Sequence, residues 1–183
     1  MIIKNMINIV LHEPEKPDNT GNIGRTCVCA DASLHLIYPL GFILTEHKIK
    51  HAGLDYWDRL EKYKYDNFND FLFKNNLDLD YMKKNIDNQN VKKIYFATTK
   101  GHKLYTDVKY NDGDYIMFGK ESAGIPEEIL SKNEELCIRI PMKLSERSLN
   151  LSNSVAIVLY EALRQNNFNN LEKYGDLHHL KYV

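Results

Sequence analysis

Short apolar runs recur along this chain, each followed by turn chemistry and then a segment with helical spacing. The runs are Ile7-Asn8-Ile9-Val10-Leu11, Leu34-His35-Leu36-Ile37-Tyr38, Lys93-Ile94-Tyr95-Phe96-Ala97-Thr98, Asp114-Tyr115-Ile116-Met117-Phe118 and Leu136-Cys137-Ile138-Arg139-Ile140-Pro141. Near-continuous apolar strands are buried on both faces, which happens when helices cover both sides of a parallel sheet. Strands alternating with helices therefore predict an α/β domain with a mostly parallel sheet flanked by helices. With 183 residues and no linker or repeat, the chain predicts one domain over 1–183. In such sheets ligands bind at the carboxyl ends of the strands, so chemistry is expected in the loops after Leu11, Thr98, Phe118 and Ile140.

The intervening elements are less regular. Glu13 to Asn22 reads as a turn, with a helix from about Ile23 to Ala32. A short helix is expected within Thr45–Gly53, carrying Lys48, Lys50 and His51. Arg59 to Tyr65 reads as a third strand, and Asn67 to Phe73 as a helix with a capping side chain ahead of it. Lys74 to Asn90 is a polar excursion of helix or loop. Pro126-Glu127-Glu128-Ile129-Leu130 opens a helix with proline in its first turn. Asn153 to Gln165 has the strongest helical pattern, capped by Ser152 or Asn153. The tail from Tyr174 to Val183 is weakly patterned.

Three segments gather the residues that carry chemistry. Asn19-Thr20-Gly21-Asn22-Ile23-Gly24-Arg25 supplies glycines for close backbone approach and an arginine able to clamp a phosphate. Phe118-Gly119-Lys120-Glu121-Ser122-Ala123-Gly124-Ile125-Pro126 opens like a phosphate loop but lacks the Lys-Ser/Thr pair, and no dinucleotide fingerprint occurs anywhere. Ile140 to Ser154 is dense in Ser and Asn beside Lys143 and Arg147. Glu13 and Asp18 offer carboxylates for general-base work.

Several classes are excluded. Cys27, Cys29 and Cys137 have no spacing suited to zinc or a disulfide framework and read as small apolar residues. His178 and His179 lack further ligands, so no metal is expected. No apolar run is long enough to span a membrane and the N-terminus carries no signal-peptide pattern, which predicts a cytoplasmic protein. Net charge is −1, so a nucleic-acid site must come from local clustering.

Taken in order, seven segments resemble the SpoU–TrmH branch of the SPOUT RNA methyltransferases. They are Asn8–Leu11 with Glu13-Pro14, Asn19–Arg25, His51–Tyr56, Thr98–Gly101, Asp112–Gly119 with Glu121–Pro126, Arg139–Met142, and Arg147–Asn153. The first asparagine-glycine segment and the Ser-Leu-Asn-Leu-Ser-Asn segment are shared across the class. Ala52-Gly53-Leu54-Asp55-Tyr56-Trp57 and Asp112-Gly113-Asp114-Tyr115-Ile116-Met117-Phe118-Gly119 point to its tRNA (cytidine/uridine-34) 2'-O-methyltransferases, the TrmL group. The resemblance covers about Met6 to Asn167, with 168–183 as a C-terminal tail, and includes no extra N-terminal RNA-binding domain.

That resemblance implies a SPOUT α/β fold with a C-terminal trefoil knot, a homodimer with its site at the subunit interface, and S-adenosylmethionine as cofactor. It implies methyl transfer to the ribose 2'-hydroxyl of the wobble nucleotide in the tRNA anticodon loop, with leucine isoacceptors as expected substrates. Arg25, Glu121, Asn150 and Ser152 match active-site positions. Ala97, Gly119, Ile140 and Ser148 match cofactor contacts, and Tyr160 sits on a helix available to the dimer. Lys48, Lys50, His51, Lys100, His102, Lys103, Lys143 and Arg147 would supply phosphate contacts. The alternatives are the same chemistry on ribosomal RNA or another tRNA nucleotide, a non-catalytic RNA-binding module, and a small-molecule α/β enzyme.

Overall fold

The structure is a computed structural model that describes residues 6–43 and 56–180. Its strands are β1 (Asn8–His12), β2 (Ser33–Ile37), β3 (Lys62–Tyr65), β4 (Ile94–Ala97), β5 (Lys103–Leu104), β6 (Tyr115–Phe118) and β7 (Cys137–Arg139). They form one sheet in the order β3-β2-β1-β6-β4-β7-β5. Every pairing is parallel. Val10 lies opposite both His35 and Met117, which fixes the register at the centre.

Alternation along the strands divides the core into two layers. Ile9, Leu11, Leu34, Leu36, Ile116 and Phe118 face α1 (Pro17–Cys29) and, through Val155, Val158, Leu159 and Ala162, the last helix. Val10, Ile37, Phe96 and Met117 face the opposite layer with Phe71, Met82 and Leu130. These come from α2 (Phe68–Lys74), α3 (Leu79–Lys84) and α4 (Glu127–Leu130). The last helix is α5 (Leu151–Gln165). Each fully buried Leu, Ile, Val, Met or Phe contributes about 1.5–3 kcal/mol, so these two layers supply the main driving force.

Most expected elements are present, with four corrections. Helix α1 begins at Pro17, six residues ahead of the expected start, so the Asn19–Arg25 segment is helical and not a loop. Gly24 lies under a ring: an added Cβ would stand 3.0 Å from Trp57 Cζ3 and 3.1 Å from Leu60 Cδ2. Helix α5 begins at Leu151 and is capped by Asn150, which accepts from the N–H groups of Ser152 and Asn153. The expected cap at Ser152 or Asn153 is thus two or three residues too late. Pro126 precedes α4 as its cap position, and β5 was not foreseen. The polar excursion after Lys74 holds α3, whose start is capped by Asp78 accepting from Tyr81 N–H at 2.9 Å. The expected helix within 45–53, with Lys48, Lys50 and His51, lies outside the described residues.

One buried charge ties the amino ends of β4 and β6. Asp114 is fully buried and accepts from Lys93 N–H at 2.8 Å and Asn111 N–H at 2.9 Å. Burial pushes its carboxyl up to about 6, against the pull of those two N–H groups and of Lys93. A carboxyl raised in the folded state favours folding below its unfolded pKa and loses that advantage as pH rises through the folded value. Asp114→Asn, uncharged throughout, should therefore gain stability relative to wild type between about pH 4 and pH 6. Denaturant unfolding of both proteins across that range checks this; a constant difference would sink it.

Candidate active site

Because all strands run the same way, the exits of β1, β4, β6 and β7 meet at one edge of the sheet. There they enclose a cleft of about 700 Å³, within the range of small-molecule sites. Ala97 to Lys100, Phe118 to Ile125, and the stretch from Ile140 to Ser154 form its walls, with Lys16 and Asn19 of α1 on one side.

The loop after β6 is the tightest part. Gly124 N–H returns to Lys120 carbonyl at 2.8 Å, and Lys120 bridges Gly124 in antiparallel fashion. Gly124 has φ +74°, a conformation glycine adopts without strain. A Cβ on Gly119 would stand 1.9 Å from the Gly124 carbonyl carbon, so only glycine fits there.

Hydrogen bonds join the three loops across the cleft. Glu121 Oε1 accepts from Asn19 Nδ2 at 2.8 Å, and Glu121 Oε2 accepts from Glu15 N–H at 2.8 Å. Asn150 Nδ2 donates to Asn19 Oδ1 at 3.0 Å. Asn150 Oδ1 accepts from Ser152 N–H at 2.9 Å and from Ser152 Oγ at 2.7 Å. Asn150 is therefore both the cap of α5 and a link to α1. Asn150→Ala removes the cap and leaves Asn19 short of a partner, so a stability loss of about 1 kcal/mol is expected. Calorimetric melting measures it, and an unchanged midpoint would contradict the linkage.

The structure brings together Ala97, Gly119, Glu121, Ile140, Ser148 and Asn150 in the cleft wall. Ser152 reaches that wall through its bonds to Asn150. Arg25 is not among the lining residues. It is exposed on α1, with its guanidinium 5.7 Å from the centre of the Tyr56 ring. Tyr56 in turn donates its hydroxyl to Gly21 carbonyl at 2.7 Å. Neither carboxylate offered as a base is free in the cleft. Glu13 is paired with Lys120 at 3.0 Å, and Asp18 lies exposed in the first turn of α1.

Of the basic residues expected at phosphates, Lys100 pairs with Glu127, His102 with Glu134, and Lys103 Nζ donates to Glu135 carbonyl. Lys143 and Arg147 stand exposed on the loop ahead of α5, and Arg147 lines the cleft. Lys16, Asn19 and Glu15 were given no role from sequence. Asn19 lay within a noted segment, but Glu15 sits among turn residues that carry no distinguishing signal.

Among the described residues no group of His, Cys, Asp and Glu is placed to hold a metal. Cys27 and Cys137 are buried and Cys29 is exposed, all as free thiols. No described helix is long and apolar enough to cross a membrane.

The sequence profile of the SpoU rRNA Methylase family matches residues 6–160. The chain belongs to this family. A Listeria monocytogenes protein is 46% identical over 164 residues, 88% of this chain and 89% of its own. It is provisionally designated a tRNA (cytidine(34)-2'-O)-methyltransferase. The Escherichia coli (strain K12) tRNA (cytidine(34)-2'-O)-methyltransferase is 42% identical over 161 residues, 87% of this chain and 94% of its own. A solved structure concerned with 2-OH methylation of C/U34 on tRNA superposes with TM-score 0.74 at 36% identity, covering 89% of this chain and 97% of that one. The SpoU methyltransferase AviRb from Streptomyces viridochromogenes, solved in complex with AdoMet, shares the fold at TM-score 0.69 and 18% identity, over 91% of this chain and 60% of that one.

Proposed function

We propose that this SpoU-family chain methylates the ribose 2'-hydroxyl of the wobble nucleotide of tRNA, cytidine or modified uridine 34, in leucine isoacceptors, in the cytoplasm. The observation that carries this is the cleft itself. It joins a glycine-bounded loop to the Glu121–Asn19–Asn150 chain of hydrogen bonds, in a protein 42% identical to a tRNA (cytidine(34)-2'-O)-methyltransferase.

The cleft suits S-adenosylmethionine. Phe118, Ile125 and Leu151 give it apolar surface beside polar loop backbone, and the space in front of Gly124 is open for at least 4 Å. Ala97, Gly119, Ile140 and Ser148 would hold the cofactor, which supplies an electrophilic methyl group and needs no metal. The protein's task is to bring one ribose hydroxyl into line and to stabilise charge growing on its oxygen. Both Glu121 oxygens already accept N–H donors, so its role is orientation. Arg25 offers a planar, multi-donor guanidinium and serves by electrostatics.

Arg25 lies outside the cleft of its own protomer, which supports a homodimer in which each copy lends Arg25 to the other's site. The exposed Ile157 and Tyr160 on α5 give that dimer an apolar face. The loop from Pro141 to Asn150 would complete the family's trefoil knot, and Lys16, Lys143 and Arg147 would meet anticodon-loop phosphates.

The test is transfer from labelled S-adenosylmethionine to total tRNA from cells lacking this protein, with the modified position mapped. Label at the wobble 2'-oxygen supports the proposal. Label elsewhere on tRNA or on ribosomal RNA moves the target but keeps the chemistry. Cofactor binding without any labelled RNA would leave a non-catalytic RNA-binding module.

A further inference from the structure

We infer that Glu15 is a positioning residue for the transfer reaction, anchoring Glu121 and, through Asn19, Asn150; this deepens the methyltransferase reading and rests on it. Glu15 makes three bonds to two consecutive residues of the loop after β6. Its N–H donates to Glu121 Oε2 at 2.8 Å. Its carboxylate accepts Ser122 N–H at 2.8 Å and Ser122 Oγ–H at 2.7 Å. A donor and an acceptor on one residue thus meet an acceptor and a donor on the facing loop, which sets register between them and not mere proximity. Charge-assisted bonds of this kind are the stronger class. The hydroxyl and N–H of Ser122 hold the Glu15 carboxyl below the usual range, consistent with an ionised anchor.

The segment carrying Glu15 is itself pinned from two sides. Glu13, at φ +51°, turns the chain and pairs with Lys120 at 3.0 Å. Pro14 carbonyl accepts Gly41 N–H at 2.9 Å. Gly41 presses so closely that a Cβ there would lie 2.7 Å from Glu15 Cα. Glu15 is therefore held by the exit of β2 while it holds the exit of β6. From Glu121 the bonds run on to Asn19, Asn150 and Ser152. Glu121, and through it Asn19, Asn150 and Ser152, is thereby tied to Glu15, whose backbone N–H holds Glu121 while its carboxylate, outside the cleft lining, clasps the neighbouring Ser122. No atom of Glu15 need touch substrate. Its loss would let the loop from Gly119 to Gly124 shift, and Glu121 with it.

Steady-state kinetics with Glu15→Ala should show kcat lowered about 10–100-fold with KM for tRNA near wild type, as expected of a misplaced orienting group. Glu15→Gln keeps an acceptor for Ser122 N–H and should recover most of kcat. In a Glu121→Ala background, adding Glu15→Ala should cost little more, because the two act through one path. Multiplying effects, an unchanged kcat, or a Gln variant as poor as Ala would each overturn the inference. Should Glu15→Ala fail to fold, Ser122→Ala, at an exposed position, removes one arm of the clasp and should show a smaller drop of the same kind; unchanged kcat there would count against it.

A second readout does not depend on RNA. The side-chain amide resonances of Asn19 and Asn150 should move in Glu15→Ala, and their staying fixed would refute the linkage. If the wild type labels no tRNA while these resonances move, the proposed function falls and the linkage stands.

Discussion

Gly119→Ala should abolish cofactor binding and lower the melting temperature by about 6–12 °C. The added methyl would sit 1.9 Å from Gly124 carbonyl carbon and 2.1 Å from Ile125 nitrogen. Both are backbone atoms, so no side-chain rotation relieves the clash. Relief requires opening the loop closed by Gly124 N–H and Lys120 carbonyl, and that loop is a wall of the cleft. Overpacking of this kind costs on the order of 3 kcal/mol, and each kcal/mol moves the midpoint of a domain this size by about 2–4 °C. Gly124→Ala is the control. Its Cβ meets nothing within 4 Å, so only the φ of +74° resists it, at a cost of about 1–2 kcal/mol. Calorimetric melting and titration with S-adenosylmethionine compare the two. If Gly119→Ala binds cofactor like wild type, the loop after β6 is not part of the cofactor site.

Arg25→Ala should lower kcat about 10²–10³-fold while leaving the melting temperature almost unchanged. Its one described contact of note is the Tyr56 ring at 5.7 Å, worth about 0.5–1 kcal/mol at an exposed position. Arg25→Lys should not restore activity, because an ammonium lacks the planar fork of the guanidinium. The decisive version uses a purified heterodimer of one Arg25→Ala copy and one Glu121→Ala copy. With Arg25 supplied across a two-fold interface, one of the two sites is whole and about half of wild-type activity returns. With Arg25 serving its own cleft, both sites are broken and the heterodimer is as inactive as either parent. A heterodimer without activity would therefore remove the shared site and keep the cleft.

The sheet was legible because its central strands are apolar at nearly every position, as a layer covered on both sides demands. Ile9, Val10 and Leu11 are wholly buried, as are Ile116 and Met117. The location of the cleft followed from the same fact, since parallel strands bring their exits to one edge. What escaped was decided by contacts far apart in sequence. Gly21 and Gly24 argue against helix locally, each costing about 1 kcal/mol there. At Gly24 the reason lies in packing, because Trp57 and Leu60 occupy the space that a side chain would fill. β5 has two exposed residues and no pattern to read; it exists because β7 offers it an edge. Glu15 looked like any turn carboxylate, since its partner Ser122 is 107 positions away.

The place of β6 has a consequence for how the chain reaches this state. β6 lies between β1 and β4 and pairs with both, yet it is made after both. As the protein leaves the ribosome, β1 and β2 can pair early, but the other edge of β1 must wait for about a hundred residues of further synthesis. Exposed apolar edges of that kind invite pairing with other chains, and such non-local pairing is slow. The nascent protein should therefore depend on chaperone shielding until residue 118 has emerged, and stalled shorter chains should aggregate.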